Sequence, residues 1–180
     1  MIYKCTYKTP SGFDDMVMNS DGEYLTALCF EHSRDISKFN ENSYEKNIPI
    51  FERAKEWLDI YFAGEIPDFV PEYKIENLTL FRSTVIDIMN EIPYGATVTY
   101  NDIAKQIAAS RNIEKMSAQA VGGAVGWNPI CIIVPCHRVV GTSGDLTGYG
   151  GGIQNKIKLL ELEGNNMSKF TYNKMRGELK

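Results

Sequence analysis

The chain has 180 residues, enough for one domain or two small ones at roughly 100–200 residues each. Its 43% hydrophobic and 23% charged residues are the balance of a globular protein, which excludes a disordered tail, a collagen or a coiled coil. The net charge of −4 argues against a general binder of polyanions, but it is uneven: residues 1–80 carry 8 basic and 15 acidic side chains, 81–165 carry 7 of each, and 166–180 carry 4 and 1. Any nucleic-acid contact is therefore expected in the second half, with a modest salt-dependent term.

The start, Met1 to Thr6, lacks the basic and apolar regions of a secretory signal. No apolar run reaches the about 18 residues of a membrane span, so no membrane contact is expected. Four cysteines (Cys5, Cys29, Cys131, Cys136) do not make a disulfide framework in a chain this long, and reduced thiols in a cytoplasmic protein are the simpler reading.

Residues 1–31 read as strands. Met16-Val17-Met18 leads into the turn cluster Asn19-Ser20-Asp21-Gly22, and the aromatic and aliphatic run from Glu23 to Phe30 completes a hairpin. Residues 32–49 are polar and irregular. From Ile50 the period becomes helical, with Phe51, Ala54, Trp57, Leu58, Tyr61 and Phe62 forming a core face that ends at Gly64. The prolines Pro67 and Pro71 cannot continue that helix, so a boundary or linker is expected in 64–78.

The second half reads as mostly helical. Thr79 is suited to cap a helix carrying Phe81, Val85, Ile88, Met89 and Ile92, stopped by Pro93-Tyr94-Gly95. Thr99 and Asp102 resemble a capping box ahead of Tyr100, Ile103, Ala104 and Ile107. After the polar loop 110–116, Ser117 precedes a helix of small residues, 118–125. That order fits either a helix-turn-helix with a long turn or an ordinary helical hairpin. Gly122-Gly123 costs about 1 kcal/mol per glycine relative to alanine within a helix. Such a helix makes sense where another backbone comes close, either a packed helix or a nucleic acid, and its few long polar side chains favour shape over base readout.

Ile130 to Val134 reads as a short buried strand, ended by Pro135 and followed by Cys136-His137-Arg138 and the turn Gly141 to Gly144. A thiol beside one of only two histidines is the outstanding chemical pair, because a nearby base lowers the cost of forming the nucleophilic thiolate. Asn128-Pro129 precedes it, and Asn is suited to pinning a turn. The glycine-rich loop 148–152 follows, then a helix with Ile153, Ile157 and Leu160 at core spacing. That helix ends at Glu161-Leu162-Glu163-Gly164. A carboxylate at a helix C-terminus is electrostatically unfavourable, which suggests Glu163 as a third member of a Cys-His-Glu relay and leaves Glu161 as the solvated one.

Val134-Pro135-Cys136-His137-Arg138-Val139, with Asn128-Pro129 before it and Gly148-Tyr149 to Gly164 behind, resembles the O6-alkylguanine-DNA alkyltransferases, or methylated-DNA–protein-cysteine methyltransferases, over about residues 80–164. The resemblance implies an α+β protein with an RNase H-like N-terminal domain and linker over 1–78. It implies a helical, winged helix-turn-helix-like alkyltransferase domain over 79–165, with 166–180 left as a basic tail. Cys136 would accept an alkyl group from O6 of guanine, and possibly O4 of thymine, in a flipped-out base. His137 would act on the thiol through a water, Glu163 would orient His137, Asn128 would organise the turn, and Tyr100 would donate a proton to the departing guanine. Arg138 would be structural, and the carbonyls of Cys136 and Val139 with the backbone of Tyr149-Gly150 would line the base pocket. Ala120 and Gly123 would face DNA, and Gln119 stands where the family has an arginine that fills the gap left by the base. Glutamine brings no charge and a shorter reach, so weaker flipping or DNA affinity is expected. The loop between Tyr100 and Gln119 is about five residues longer than in some relatives by motif spacing. The implied partner is double-stranded DNA containing O6-alkylguanine, approached from the minor groove by a monomer without a cofactor, in the cytoplasm (or the nucleoid, or the nucleus of a eukaryote).

Three other readings stay open from the residues alone. They are a non-catalytic alkyl-lesion binder, a Cys-His-Glu hydrolase, and a DNA-binding regulator with an unrelated thiol. A metal site at Cys5, Cys29 and His32 lacks both a known zinc spacing and a fourth ligand, so no metal is expected.

Overall fold

The structure is a computed structural model that describes residues 1–34, 43–146 and 148–172. The chain divides into two compact units. One is Met1–Asn77 with Pro129–Ile133, and the other is Leu78–Asn128 with Val134–Lys180. Together they make an α+β fold.

The first unit is built on a four-stranded sheet. Strands β1 (Ile2–Tyr7), β2 (Met16–Ser20), β3 (Leu25–Phe30) and β4 (Ser43–Glu45) lie in the order β3-β2-β1-β4, antiparallel except for the parallel β1–β4 pair. The hairpin turn starts later than its composition suggests. Asn19 and Ser20 are buried strand residues, and the reversal falls on Asp21-Gly22. The Asp21 carboxylate accepts the N–H groups of Glu23 and Tyr24, and Gly22 takes φ +112°. Helix α1 (Pro49–Phe62) opens on a proline in its first turn and buries Phe51, Ala54, Trp57, Leu58, Tyr61 and Phe62, the face its periodicity predicts. The expected boundary falls at the end of 64–78, between Asn77 and Leu78, but the segment before it is not a free linker. Tyr73 bridges Leu25 in parallel, the Leu25 N–H donates to the Glu72 carbonyl and the Lys74 N–H to Leu25, so the segment satisfies the edge of β3.

The expected strand at 130–134 does not form. Leu28 N–H donates to the Pro129 carbonyl and Cys131 N–H to Leu28, both at 2.8 Å, and Ile130 makes a single bridge to Leu28. Ile132 then turns at φ +70°, a left-handed conformation that ends the extended run.

The second unit holds α2 (Leu80–Asn90), α3 (Tyr100–Ser110), α4 (Ala118–Gly126) and α5 (Ile153–Leu162), with short strands β5 (Val98–Thr99) and β6 (Val139–Val140) paired in parallel. Three of the helices start on predicted caps. Thr79 accepts the Arg82 N–H, Thr99 and Asp102 form a reciprocal capping box, and Ser117 accepts the Ala120 N–H. In α2 the buried positions are Val85, Ile86 and Met89, so the stripe is rotated from the predicted one and Ile88 lies at its margin. The C-terminal part of this unit is more than a charged tail. Met167, Phe170 and Tyr172 pack on Val140, Leu146 and Leu160, and Thr171 exchanges backbone bonds with Gly144 and Leu146. Attention to its lysines missed these apolar positions. Lys169 is exposed, and Lys174, Arg176 and Lys180 lie outside the described residues. Among the described residues, no helix is long and apolar enough to cross a membrane.

Candidate active site

Cys136 opens a single 3₁₀ turn, Cys136–Arg138, directly after Pro135. Two anchors fix that turn. The Cys136 N–H donates to the Val134 carbonyl at 2.8 Å. The same carbonyl accepts the Asn128 side-chain amide at 2.9 Å, from the residue just past the C-terminal end of α4. Asn128 thus holds the backbone leading to the thiol, as its type suggests. The Cys136 carbonyl accepts the Val139 N–H, which starts β6. Because β6 pairs with β5, and α3 begins immediately after β5, this two-residue ladder brings Tyr100 toward Cys136.

His137 is fully buried, and its Nε2 lies 2.8 Å from Glu163 Oε1. Glu163 follows the last turn of α5 and collects donors from two other segments, the 3₁₀ turn and the loop after α2. Arg138 gives Nε to both carboxylate oxygens (3.1 and 3.0 Å) and Nη2 to Oε1 (2.8 Å), while the Gly95 N–H donates to Oε2 at 3.1 Å. Arg138 Nη1 also caps the Ile92 carbonyl at 2.7 Å, and Tyr94 Oη donates to the Leu162 carbonyl at 3.2 Å. The turn after α2 is thereby clamped onto the end of α5. Gly95 is required there, since it sits at φ +76° and a Cβ would lie 2.9 Å from the Glu163 carbonyl oxygen.

Electrostatics assigns protons in this cluster. Burial pushes the Glu163 carboxyl up, but hydrogen bonds from His137 and Arg138, with the charge of Arg138, outweigh it and hold the group at about 2. Burial pushes His137 down, against the pull of Glu163. Arg138 already balances the carboxylate charge, so the imidazole is neutral, with Nε2–H donating to Glu163 and Nδ1 carrying the basic lone pair. Tyr100 is pushed up to about 12 by burial and by the negative charge of Cys136 and Asp145, so it is a phenol and a proton donor at neutral pH.

The other predicted residues fall into two groups. Val139 and Tyr149 lie at Lys156. The Val139 carbonyl accepts its Nζ at 2.6 Å, and the Tyr149 ring centroid is 5.7 Å from it. A Cβ on Gly150 would lie 3.7 Å from the Gly126 carbonyl, which sets the glycine-rich loop against the end of α4. Gln119, Ala120 and Gly123 lie together on the exposed face of α4, apart from the buried relay. Gly122, on the same helix, faces Tyr100, whose ring would be 3.8 Å from an added Cβ. An added Cβ would be in ordinary contact with that ring at Gly122 and would meet nothing within 4 Å at Gly123, so the second glycine leaves an open surface.

Sequence reasoning missed Lys156, Tyr94 and Gly95. Lys156 had a readable signal, since it lies between Ile153 and Leu160 at i+3 and i−4 on the apolar face of α5. Gly95 had none beyond its place after a proline. The weighed metal triad is not assembled. Cys29 Sγ donates to the Pro129 carbonyl, His32 faces Asp14, and among the described residues no three His, Cys, Asp or Glu side chains are grouped to hold an ion.

Residues 80–165 match the family described as 6-O-methylguanine DNA methyltransferase, DNA binding domain. The chain is 51% identical over 164 residues to a methylated-DNA–protein-cysteine methyltransferase of Mycobacterium tuberculosis, covering 91% of this chain and 93% of that one. It is 38% identical to the protein of the same name from Methanosarcina acetivorans, covering 91% and 99%. Among solved structures, it is similar to Mycobacterium tuberculosis OGT in complex with DNA, with a TM-score of 0.76 and 39% identity, covering 93% of this chain and 94% of that one.

Proposed function

The chain belongs to the methylated-DNA–protein-cysteine methyltransferase family, and on that footing we propose that Cys136 is the sulfur onto which it draws an alkyl group from damaged DNA. The activity is direct-reversal repair by alkyl transfer, and DNA is the partner. The observation that carries the assignment of Cys136 is the buried bond between His137 Nε2 and Glu163 Oε1, one residue from the thiol.

The geometry supports the following steps. The methyl on O6 of guanine lies within the base stack, so the base is flipped out, at a cost of a few kcal/mol that is least for a badly paired lesion. The Cys136 thiol proton passes through a water to His137 Nδ1, and the imidazolium formed is stabilised by Glu163. The sulfur lone pair forms a bond to the methyl carbon as the carbon–O6 bond breaks, and that electron pair goes to the guanine. Tyr100 donates the proton that neutralises the base, and the proton taken from Cys136 returns from His137 to restore the phenol, so no net charge is left in the dry site. Arg138 keeps Glu163 ionised throughout, and the carbonyls of Cys136 and Val139 with the Tyr149-Gly150 backbone receive the base. The product is a thioether with no good leaving group, so each chain reacts once.

Gln119, Ala120 and Gly123 present the DNA-binding face. Its lack of bulk suits a close approach from the minor groove, where readout is largely by shape. The protein acts as a monomer, on O6-alkylguanine in duplex DNA.

The test is incubation with a duplex carrying O6-methylguanine, followed by mass analysis of the cysteine peptides. One added CH₂ on the Cys136 peptide, lost entirely in Cys136→Ala, is expected. Methyl on another cysteine, turnover beyond one equivalent, or tight binding with no transfer would overturn the proposal.

A further inference from the structure

The α4 face carries no charge of its own. Residues 117–127 hold neither an acidic nor a basic side chain. Gln119, Gly123 and Trp127 follow one another at i, i+4 and i+8, a stripe about 12 Å long on one side of the helix. Trp127 closes α4 in helical geometry, at φ −82° and ψ −10°. Sequence-independent affinity for duplex DNA comes from cations that neutralise phosphates, so a stripe of this kind needs charge from a neighbouring element.

Arg82 of α2 brings it. Its guanidinium lies over the Trp127 ring, 3.9 Å from the centroid. Both side chains are half-buried, so the pair is held by packing and still reaches solvent. Among the described residues no carboxylate forms an ion pair with Arg82, whereas Arg138 is neutralised by Glu163 at 2.8 Å. Arg111 is directed elsewhere, its Nη2 donating to Thr84 Oγ1 at 3.3 Å. The position of Arg82 is also costly. It stands in the first turn of α2, where a cation opposes the helix macrodipole, and no acidic side chain of that turn offsets it. An anion arriving from outside would remove that conflict.

We propose that Arg82 is a phosphate-binding residue for DNA, held by Trp127 at the C-terminal end of the α4 stripe. The inference rests on α4 being the face that meets DNA, and it extends that face to a second helix. The indole attracts the cation and fixes where it stands, so less side-chain freedom is lost when a phosphate arrives. A guanidinium suits the task because its N–H groups match the oxygens of a phosphate. Recognition is thereby divided along the stripe. Arg82 grips the backbone of any duplex, and Gln119, about 12 Å away, is left to the lesion.

The experiment uses undamaged duplex and needs no chemistry at Cys136. Affinity is followed by fluorescence titration between about 50 and 200 mM salt. Arg82→Gln should weaken binding about three- to tenfold at the low end and reduce the log–log salt slope by about one unit, while Arg82→Lys should keep the slope. Trp127→Leu, which keeps the cation and removes its support, should weaken binding about two- to threefold. A folded Arg82→Gln with the wild-type slope overturns the proposal, because an arginine that only packs on Trp127 changes affinity without changing the number of phosphates neutralised. Wild-type affinity in Trp127→Leu overturns it as well. Should Arg82→Gln not fold, the wild type supplies the reading: duplex should protect the Arg82 peptide from phenylglyoxal, followed by mass, and a lack of protection overturns the proposal. A failure of the α4 face itself reads differently, since Gly123→Leu would then leave affinity unmoved. Loss of methyl transfer to Cys136 would defeat the repair reading and leave the slopes standing.

Discussion

On the proposed function, the cluster around Glu163 and the outer face of α4 solve opposite problems. The first is crowded. His137, Arg138 and Gly95 all aim donors at one carboxylate that water barely reaches. The second is nearly bare, with Gln119 the only long polar side chain among Ala120, Gly123 and Gly126. Proton movement at a thiol needs fixed charges in a dry place, where directional bonds are strong. Accommodating a nucleic-acid backbone needs room. One region should therefore fail when a partner is removed, and the other when bulk is added.

Glu163→Gln attacks the crowded region. The amide cannot balance Arg138, and removing one partner of a buried ion pair costs about 3–5 kcal/mol. It also removes the group that orients His137, so methyl transfer should slow about 100-fold even in the folded fraction. The pH dependence has a definite sign. Glu163 is held at about 2, below its ordinary value of 4.5, so its contribution is complete above pH 4.5 and disappears as pH falls through about 2. The stability gap between wild type and Glu163→Gln, measured by denaturant melts, should narrow over that window. A gap that is constant with pH would mean that the carboxylate charge is not what holds the cluster.

These two regions were legible to different degrees. The grouping of His137 and Glu163 beside Cys136 could be read because a thiol, an imidazole and a carboxylate are the side chains that nucleophilic chemistry would use. The caps at Thr79, Thr99 and Ser117 were legible because capping is local. What escaped depends on pairing between distant short segments. The β5–β6 ladder has two residues on each side, too few for any periodicity, yet it places Tyr100. Residues 130–134 carry the apolar run of a strand, but a left-handed Ile132 ends it, and nothing in the composition announces that. Gly95 works through its backbone N–H, which every non-proline residue has, so its role is visible only once Glu163 is seen to accept it.

Gly123→Leu attacks the bare region. No atom lies within 4 Å of a Cβ added at this exposed position, so the side chain fits the free protein. Replacing a helical glycine should raise stability by up to about 1 kcal/mol. Against DNA the same side chain would occupy the space of the approaching backbone. An overpacking cost of about 1–3 kcal/mol corresponds to about 5- to 150-fold weaker binding. A fluorescence titration and a thermal melt on one preparation should move in opposite directions. If affinity is unchanged, this face does not meet DNA and the contrast with the Glu163 cluster loses its second half.

Gln119→Arg adds charge and reach at the edge of the same face, and its effect should be the smallest. A guanidinium that contacts one phosphate steepens the salt dependence of binding by about one unit of log–log slope. A cation that also enters the gap left by a flipped base strengthens binding to the lesion duplex more than to undamaged DNA. We expect about a three- to tenfold gain on the lesion duplex, a smaller gain on undamaged DNA, and the steeper slope on both. The rate of methyl transfer within the saturated complex should stay within about twofold, because Gln119 is exposed and no hydrogen bond ties it to the His137–Glu163–Arg138 cluster, whose protons set the chemical step. A change in that saturated rate, with affinity unmoved, would mean that recognition and chemistry are not divided between these regions as the bareness of α4 and the crowding at Glu163 imply.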